Sequence, residues 1–226
     1  MSPILAGVAL AVVVGAVVAV STRLARLGIL GMAVVLVGTP LLADPVATPL
    51  ALAARLVTAI LATYVLWVAA RTRPTLGLAV APTEGSRIGW PADALVAAAA
   101  AIVGFGAHGL GVAGSGPALA SAVGFAVGAV ALIPLITGRD ILRVGHGMLL
   151  LTTAALLVRT GLGGTPLELE QLLSGVLIVV LAGAIAALAL GARLDGTGTS
   201  GFAFADEDRA RPGSGRGRDA HRLDAR

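Results

Sequence analysis

The residues of this chain that can do chemistry are few, and most of them stand at the edges of apolar runs. The segment Gly138 to Leu190 holds the densest set. Arg139, Asp140 and Arg143 open one apolar run, and Glu168 and Glu170 open the next. Arg55 and His108 lie within other stretches of apolar sequence, and His146 lies within the run that Arg143 opens. An imidazole titrates near neutral pH, so each of these histidines is a candidate proton relay. Neither has a carboxylate within one helical turn in sequence. The competing reading is a neutral histidine bonded to a backbone carbonyl, and it is the expected one for both. Asp140 is placed to cap a helix and to pair with Arg143; as an anchor, the basic turn needs no further role. Glu168 and Glu170 are two residues apart, so on a helix they diverge and do not form a carboxylate dyad. They suit the positive end of a helix dipole. Arg55 reads as a cation reaching outward to the interface. The other reading makes it a buried cation on a polar path with Thr58 and Thr63.

The elements that hold these residues follow from composition. The chain has 226 residues, 57% of them hydrophobic and 12% charged, with a mean hydropathy of +0.96. Soluble domains carry about a quarter charged residues. A single core of this size cannot bury so much apolar surface, so a bilayer must take up the rest. Seven apolar runs stand at about 3–20, 28–43, 48–70, 93–112, 117–137, 141–158 and 169–190. Most have the roughly 17 to 25 residues that cross a hydrocarbon layer as helix; the second is the shortest. Isolated strands would leave backbone groups unpaired in lipid. The predicted fold is therefore all-α, a polytopic membrane helix bundle of about seven transmembrane helices. Its expected divisions are 1–90, three helices and a cytoplasmic loop; 91–194, four helices; and 195–226, a disordered cytoplasmic tail.

Loops between the runs are rich in Gly and Pro, and Pro134 is expected to kink the fifth run near its end. Fourteen of the sixteen arginines fall on one side if seven helices alternate, the exceptions being Arg55 and Arg159. That places the N-terminus outside and the C-terminus in the cytoplasm of a bacterial inner membrane. Omitting one helix would scatter the arginines over both sides. Tyr64, Trp67 and Trp90 flank the third loop, as an interfacial aromatic anchor would. Gly124 and Gly128, with Ala120 in the same register, form a small-residue stripe that admits a second helix closely. The N-terminal run lacks a basic region before it and reads as a retained helix, not a signal peptide.

Several function classes are weakened or removed. There is no Cys, hence no thiolate metal site and no thiol nucleophile. The arginines are dispersed, which argues against nucleic acid as a partner. The AGSGP turn has no preceding strand and no following Lys, so it is not a nucleotide loop. Ser115 lies seven residues from His108 with no third group to complete a triad. No cofactor or metal is expected.

The segments RDILRVGHGMLLL and TPLELEQLLSGVLIVVLAGAIAAL resemble the C-terminal part of the membrane E component of hydrogenase-4 and formate-hydrogenlyase complexes, which contains a unit similar to subunit K of NADH dehydrogenase. Arg139, Asp140, Ile141, Leu142, Arg143 and Gly147 match its basic-turn pattern, and Pro166 with Glu170 match the next helix start. PALASAVGFAVGAVALI is also similar. The resemblance covers about residues 91–194; residues 1–90 agree only in helix pattern. It implies a membrane-arm subunit of a hydrogenase-like or NADH-dehydrogenase-like complex, with the bilayer and other membrane-arm subunits as partners. Where the relatives carry intramembrane polar residues, this chain has Leu149, Thr152, Thr153 and Val176, and Thr58 in place of a Lys. The resemblance therefore implies a scaffold and not a proton carrier. A small stand-alone transporter is the alternative.

Overall fold

A computed structural model describes residues 3–22, 25–43, 49–71, 89–109, 117–138, 141–163 and 167–194. The described residues are all-helical. They form α1 (Pro3–Ser21), α2 (Ala25–Ala43), α3 (Pro49–Arg71), α4 (Trp90–Gly109), α5 (Ala118–Thr137), α6 (Ile141–Gly163) and α7 (Glu168–Leu194). Six are long and apolar enough to cross a membrane; the apolar part of α2, Arg26–Leu42, is shorter. The chain is thus a multi-pass membrane helix bundle. The expected tail, residues 195–226, lies outside the described residues.

Helix ends extend past the apolar runs where polar residues tolerate helix. The fourth begins at Trp90, ahead of the run starting at 93, which brings Asp93 into its first turn. The sixth continues to Gly163, so Arg159 is helical and does not close the element. Pro134 lies in the last turn of α5, whose final amide bond runs from Gly138 to the Pro134 carbonyl.

In α1 the face that turns inward follows size. In α1 every position is apolar or small, so polarity cannot orient it. Ala9, Val12, Ala16 and Ala19 are buried at helical spacing while Ile4, Leu10 and Val14 are exposed. Lipid solvates large side chains as well as protein does, and close backbone approach supplies the packing. The Ala120, Gly124 and Gly128 stripe behaves as expected: Ala120 is fully buried, Gly124 abuts Leu157 and Val158, and Gly128 faces Ala154. Helix four follows this pattern only in part. Ala97 and Gly104 are buried, but Gly106 meets nothing within 4 Å.

The helices α1, α2, α5 and α6 form a closed unit in which both diagonal pairs, α1 with α6 and α2 with α5, also touch. On one side of it, α4 packs on α5 and α1. On the other, α3 and α7 pack on each other, α3 on α2, and α7 on α6. In α5 and α6 about half of the apolar stretch is buried (56% and 50%), against 22%, 17% and 22% in α3, α4 and α7. The three peripheral helices therefore keep broad apolar faces for lipid.

Candidate functional site

Two polar assemblies occupy opposite ends of the bundle. The first lies where α2 and α6 finish and α3 and α7 begin. The helices α2, α3, α7 and α6 touch in that cyclic order, whereas α2 does not reach α7 and α3 does not reach α6. A ring without diagonals leaves a hollow, and here it is a cavity of about 620 Å³. Its walls include Leu36, Leu156, Val176 and Ile178, and its polar lining includes Thr39, Arg55, Thr58, Thr153, Arg159, Thr160 and Glu170.

Each threonine hydroxyl in that lining donates to a carbonyl in its own helix: Thr39 to Val35, Thr58 to Ala54, Thr153 to Leu149 and Leu150, and Thr160 to Leu156. Such back-bonding lets a hydroxyl sit in an apolar wall without an unmet donor. Pro40, inside α2, has no amide, so the carbonyl of Leu36 lacks its usual helical donor. Half-buried Arg55 reaches toward the same end of α2, its Nη1 3.4 Å from the Pro40 carbonyl oxygen. It extends toward a helix end, and it lines the cavity with Thr58; Thr63 lines a different hollow, beside Trp67.

At the mouth of the cavity Arg159 Nη2 donates to Glu170, at 2.7 Å from Oε1 and 2.6 Å from Oε2. Glu170 Oε2 also accepts the backbone N–H of Leu167 at 3.0 Å. Leu167 immediately precedes α7 and Glu170 is its third residue, so the carboxylate reaches back over the first turn as in a capping box. One side chain thereby caps α7 and ties it to α6.

The second assembly is at the opposite end, where α1 finishes and α4 and α6 begin. Asp93 is fully buried, and its Oδ2 accepts a hydrogen bond from Ser21 Oγ at 2.7 Å. Arg143 Nη2 donates to the carbonyl of Val20 at 3.3 Å. Val20 belongs to the last turn of α1, where carbonyls have no amide ahead of them and the dipole is negative. Three helices are thus clamped through two consecutive residues of α1. At the C-terminal end of α3, Arg71 stacks over Trp67 with its guanidinium carbon 5.3 Å from the ring centre.

The remaining expected residues fall as follows. Arg139 and Asp140 lie outside the described residues, so the Asp140 cap and its pair with Arg143 lie there too. His146 is buried with Nδ1 on the Leu142 carbonyl, the backbone-bonded arrangement expected of it. His108 is half-buried in the last turn of α4, and its Nδ1 has no hydrogen-bond partner among the described residues. Gly147 serves packing: a Cβ there would stand 2.9 Å from the Pro134 ring and 3.0 Å from the Ala131 carbonyl oxygen. Among the described residues there is no group of three or more His, Asp or Glu side chains arranged to hold a metal.

Asp93 is the residue that sequence reasoning missed. The stretch WPAD reads as loop, and an acid in a first helical turn reads as a dipole partner. Its one available signal was position, since Pro91 suits a helix start and so puts Asp93 within the helix. Comparison with family models, curated proteins and solved structures gives no match to this chain.

Proposed function

We propose that this chain is a scaffold subunit of the membrane arm of a hydrogenase-like or NADH-dehydrogenase-like complex, and that it does not itself carry protons. The resemblance of RDILRVGHGMLLL and its following helix supports the class. The role rests on one observation: in the described helices the carboxylates Asp93, Glu168 and Glu170 all stand in first turns. Transfer across a membrane needs titratable groups at depth. The two carboxylates whose contacts are described, Asp93 and Glu170, join one helix to another. Leu149, at the depth where the resemblance would place an acid, is fully buried among apolar neighbours.

The test is purification in mild detergent from the native host. Co-purification with antiporter-like and hydrogenase-like membrane subunits is the expected outcome, and recovery of this chain alone contradicts it. In the same reading the Arg71 and Arg143 end faces the cytoplasm of a bacterial inner membrane, following the arginine count. A reporter fused after Arg226 then reports cytoplasm and one at Ser115 reports the outside; reversal of both overturns the orientation.

The cavity between α2, α3, α6 and α7 favours a second reading, a small transporter that acts alone. Substrate flux into liposomes containing only this protein separates it from the first.

A further inference from the structure

We propose that the cavity enclosed by α2, α3, α6 and α7 is a hydrated, dead-ended site for small uncharged hydrogen-bond donors, entered from the Arg159–Glu170 end. The lining decides the ligand class. Thr39, Thr58, Thr153 and Thr160 spend their single hydroxyl hydrogen on carbonyls of their own helices. Ser174 does the same, donating to the Gln171 carbonyl at 2.8 Å. A hydroxyl so engaged keeps lone pairs and can still accept. Each of the four helices thus presents at least one acceptor oxygen to the cavity. Water supplies the donors they lack, and about 620 Å³ has room for on the order of twenty waters at roughly 30 Å³ each. An acyl chain would leave all five oxygens without a donor. Charge adds no further selection, because Arg159 is paired with Glu170 and Arg55 is engaged. A small amide or alcohol carries the N–H or O–H that these oxygens accept, and its carbon skeleton suits Leu36, Leu156 and Ile178.

The cavity is wet at one end and stops inside the bundle. Its mouth lies where α6 finishes and α7 begins, and the charged side chains there, Arg159 and Glu170, are exposed. The lining runs down α7 from Glu170 to Ile178, about 12 Å of helix rise. That is under half of a hydrocarbon layer of about 30 Å. One turn deeper, each helix of the ring closes. Met32 of α2, Ala62 of α3, Leu149 of α6 and Ala182 of α7 are all fully buried. Among the described residues the hollow is therefore a site and not a path.

The chain has no Cys, so one introduced thiol reports alone. The experiment uses the full chain in lipid nanodiscs, with both faces open to water, and the reagent is iodoacetamide, a small uncharged amide. Thr58 lies about 13 Å along α3 from Pro49 and lines the cavity. Its neighbour Val57 is exposed but lines neither described hollow, and so faces lipid. The thiolate is the reacting form, and hydrocarbon suppresses it. Thr58→Cys is therefore expected to be alkylated at least about tenfold faster than Val57→Cys. Iodoacetate delivers the same carbon on a carboxylate, which accepts and cannot donate. Its disadvantage against iodoacetamide should grow by about tenfold from free cysteine in water to Thr58→Cys. Ala54 lines the cavity one turn nearer the mouth, and Ala54→Phe should slow Thr58→Cys to the rate of Val57→Cys. Ala62→Cys, beyond the floor, should not react. Equal rates for Thr58→Cys and Val57→Cys mean a lipid-filled hollow and overturn the proposal. So does iodoacetate keeping pace with iodoacetamide, an undiminished rate behind Ala54→Phe, or a reactive Ala62→Cys. If Thr58→Cys fails to fold, Ser174→Cys on the α7 wall takes its place in every comparison. No partner subunit is present, so failure of the membrane-arm reading leaves these outcomes untouched.

Discussion

Two four-helix arrangements in this molecule share α2 and α6 and pack in opposite ways. In the α1, α2, α5, α6 unit both diagonals are in contact; in the α2, α3, α7, α6 ring neither is. The chemistry of the helices is nearly the same, since all are apolar. What differs is where small residues fall. In the closed unit Gly15 and Gly31 face each other across α1 and α2, and Gly161 lies against the backbone of Ser121. In the ring the close glycines meet side chains and not backbone, Gly145 of α6 against Ile185 and Gly175 of α7 against Thr58, while Gly183 and Gly191 of α7 have nothing within 4 Å of where a Cβ would stand. In a membrane, hydrophobicity does not separate inside from outside, and close backbone contact is what closes a bundle. The open ring is then the half with room for a ligand, and the closed unit is its frame.

The sharpest way to break this comparison is to add one methyl group to each half. A Cβ on Gly31 would stand 2.5 Å from the Gly15 carbonyl oxygen and 2.8 Å from the Ala19 amide nitrogen. Backbone atoms cannot rotate away, so Gly31→Ala is expected to destabilise the bundle by about 1–3 kcal/mol. Gly161→Ala meets Ser121 backbone and should act likewise. Gly183→Ala should be neutral, or stabilising by up to about 1 kcal/mol through helix propensity. Thermal unfolding of the three variants in one detergent checks the ordering. Equal losses would show that the two halves are packed alike.

The next effect belongs to the Asp93 end. Removing an acceptor from a buried hydrogen bond leaves its donor unmet, at a cost of about 1–3 kcal/mol. Asp93→Ala should therefore lower stability within that range. Ser21→Ala, which leaves the carboxylate buried without its Ser21 donor, should be comparable. If the two act through their 2.7 Å bond, the double variant will cost less than the sum of the singles. Strict additivity would remove the clamp between α1 and α4 from the account.

How far the sequence foretells these features depends on distance along the chain. The helices were legible because apolar runs of membrane length admit no other structure. The Arg159–Glu170 pair joins opposite charges only eleven residues apart in sequence, a spacing that local reading can reach. The small-residue face of α5 could be read, since its spacing is local. Asp93 could not. Its partner Ser21 is 72 residues away, and burial of a first-turn acid depends on helices packed beside it. The pair expected between Arg143 and Asp140 lies outside the described residues, but the described bond of Arg143 crosses 123 residues to the end of α1, which no local spacing signals. The cavity was the least legible feature, because it consists of two helix contacts that are not made.

The smallest effect is expected at Glu170, and it tests whether the open ring moves protons. Arg159 and Glu170 are 49% and 41% exposed, so their attraction is screened and contributes about 1 kcal/mol or less. Glu170→Gln keeps an oxygen that can still accept the Leu167 N–H, so only the charge is lost. Its cost should be about 0.5 kcal/mol and should shrink further at high salt. Glu170→Ala loses the cap as well and should cost about 1 kcal/mol more, independent of salt. In an assembled complex, the scaffold reading expects Glu170→Gln to leave coupled proton movement nearly intact and to weaken assembly slightly. A proton-carrying ring predicts the reverse, with assembly normal and proton movement abolished. The structural outcome is the expected one. Leu149 and Val176, at the positions where the resemblance would place a second acid, cannot bind a proton.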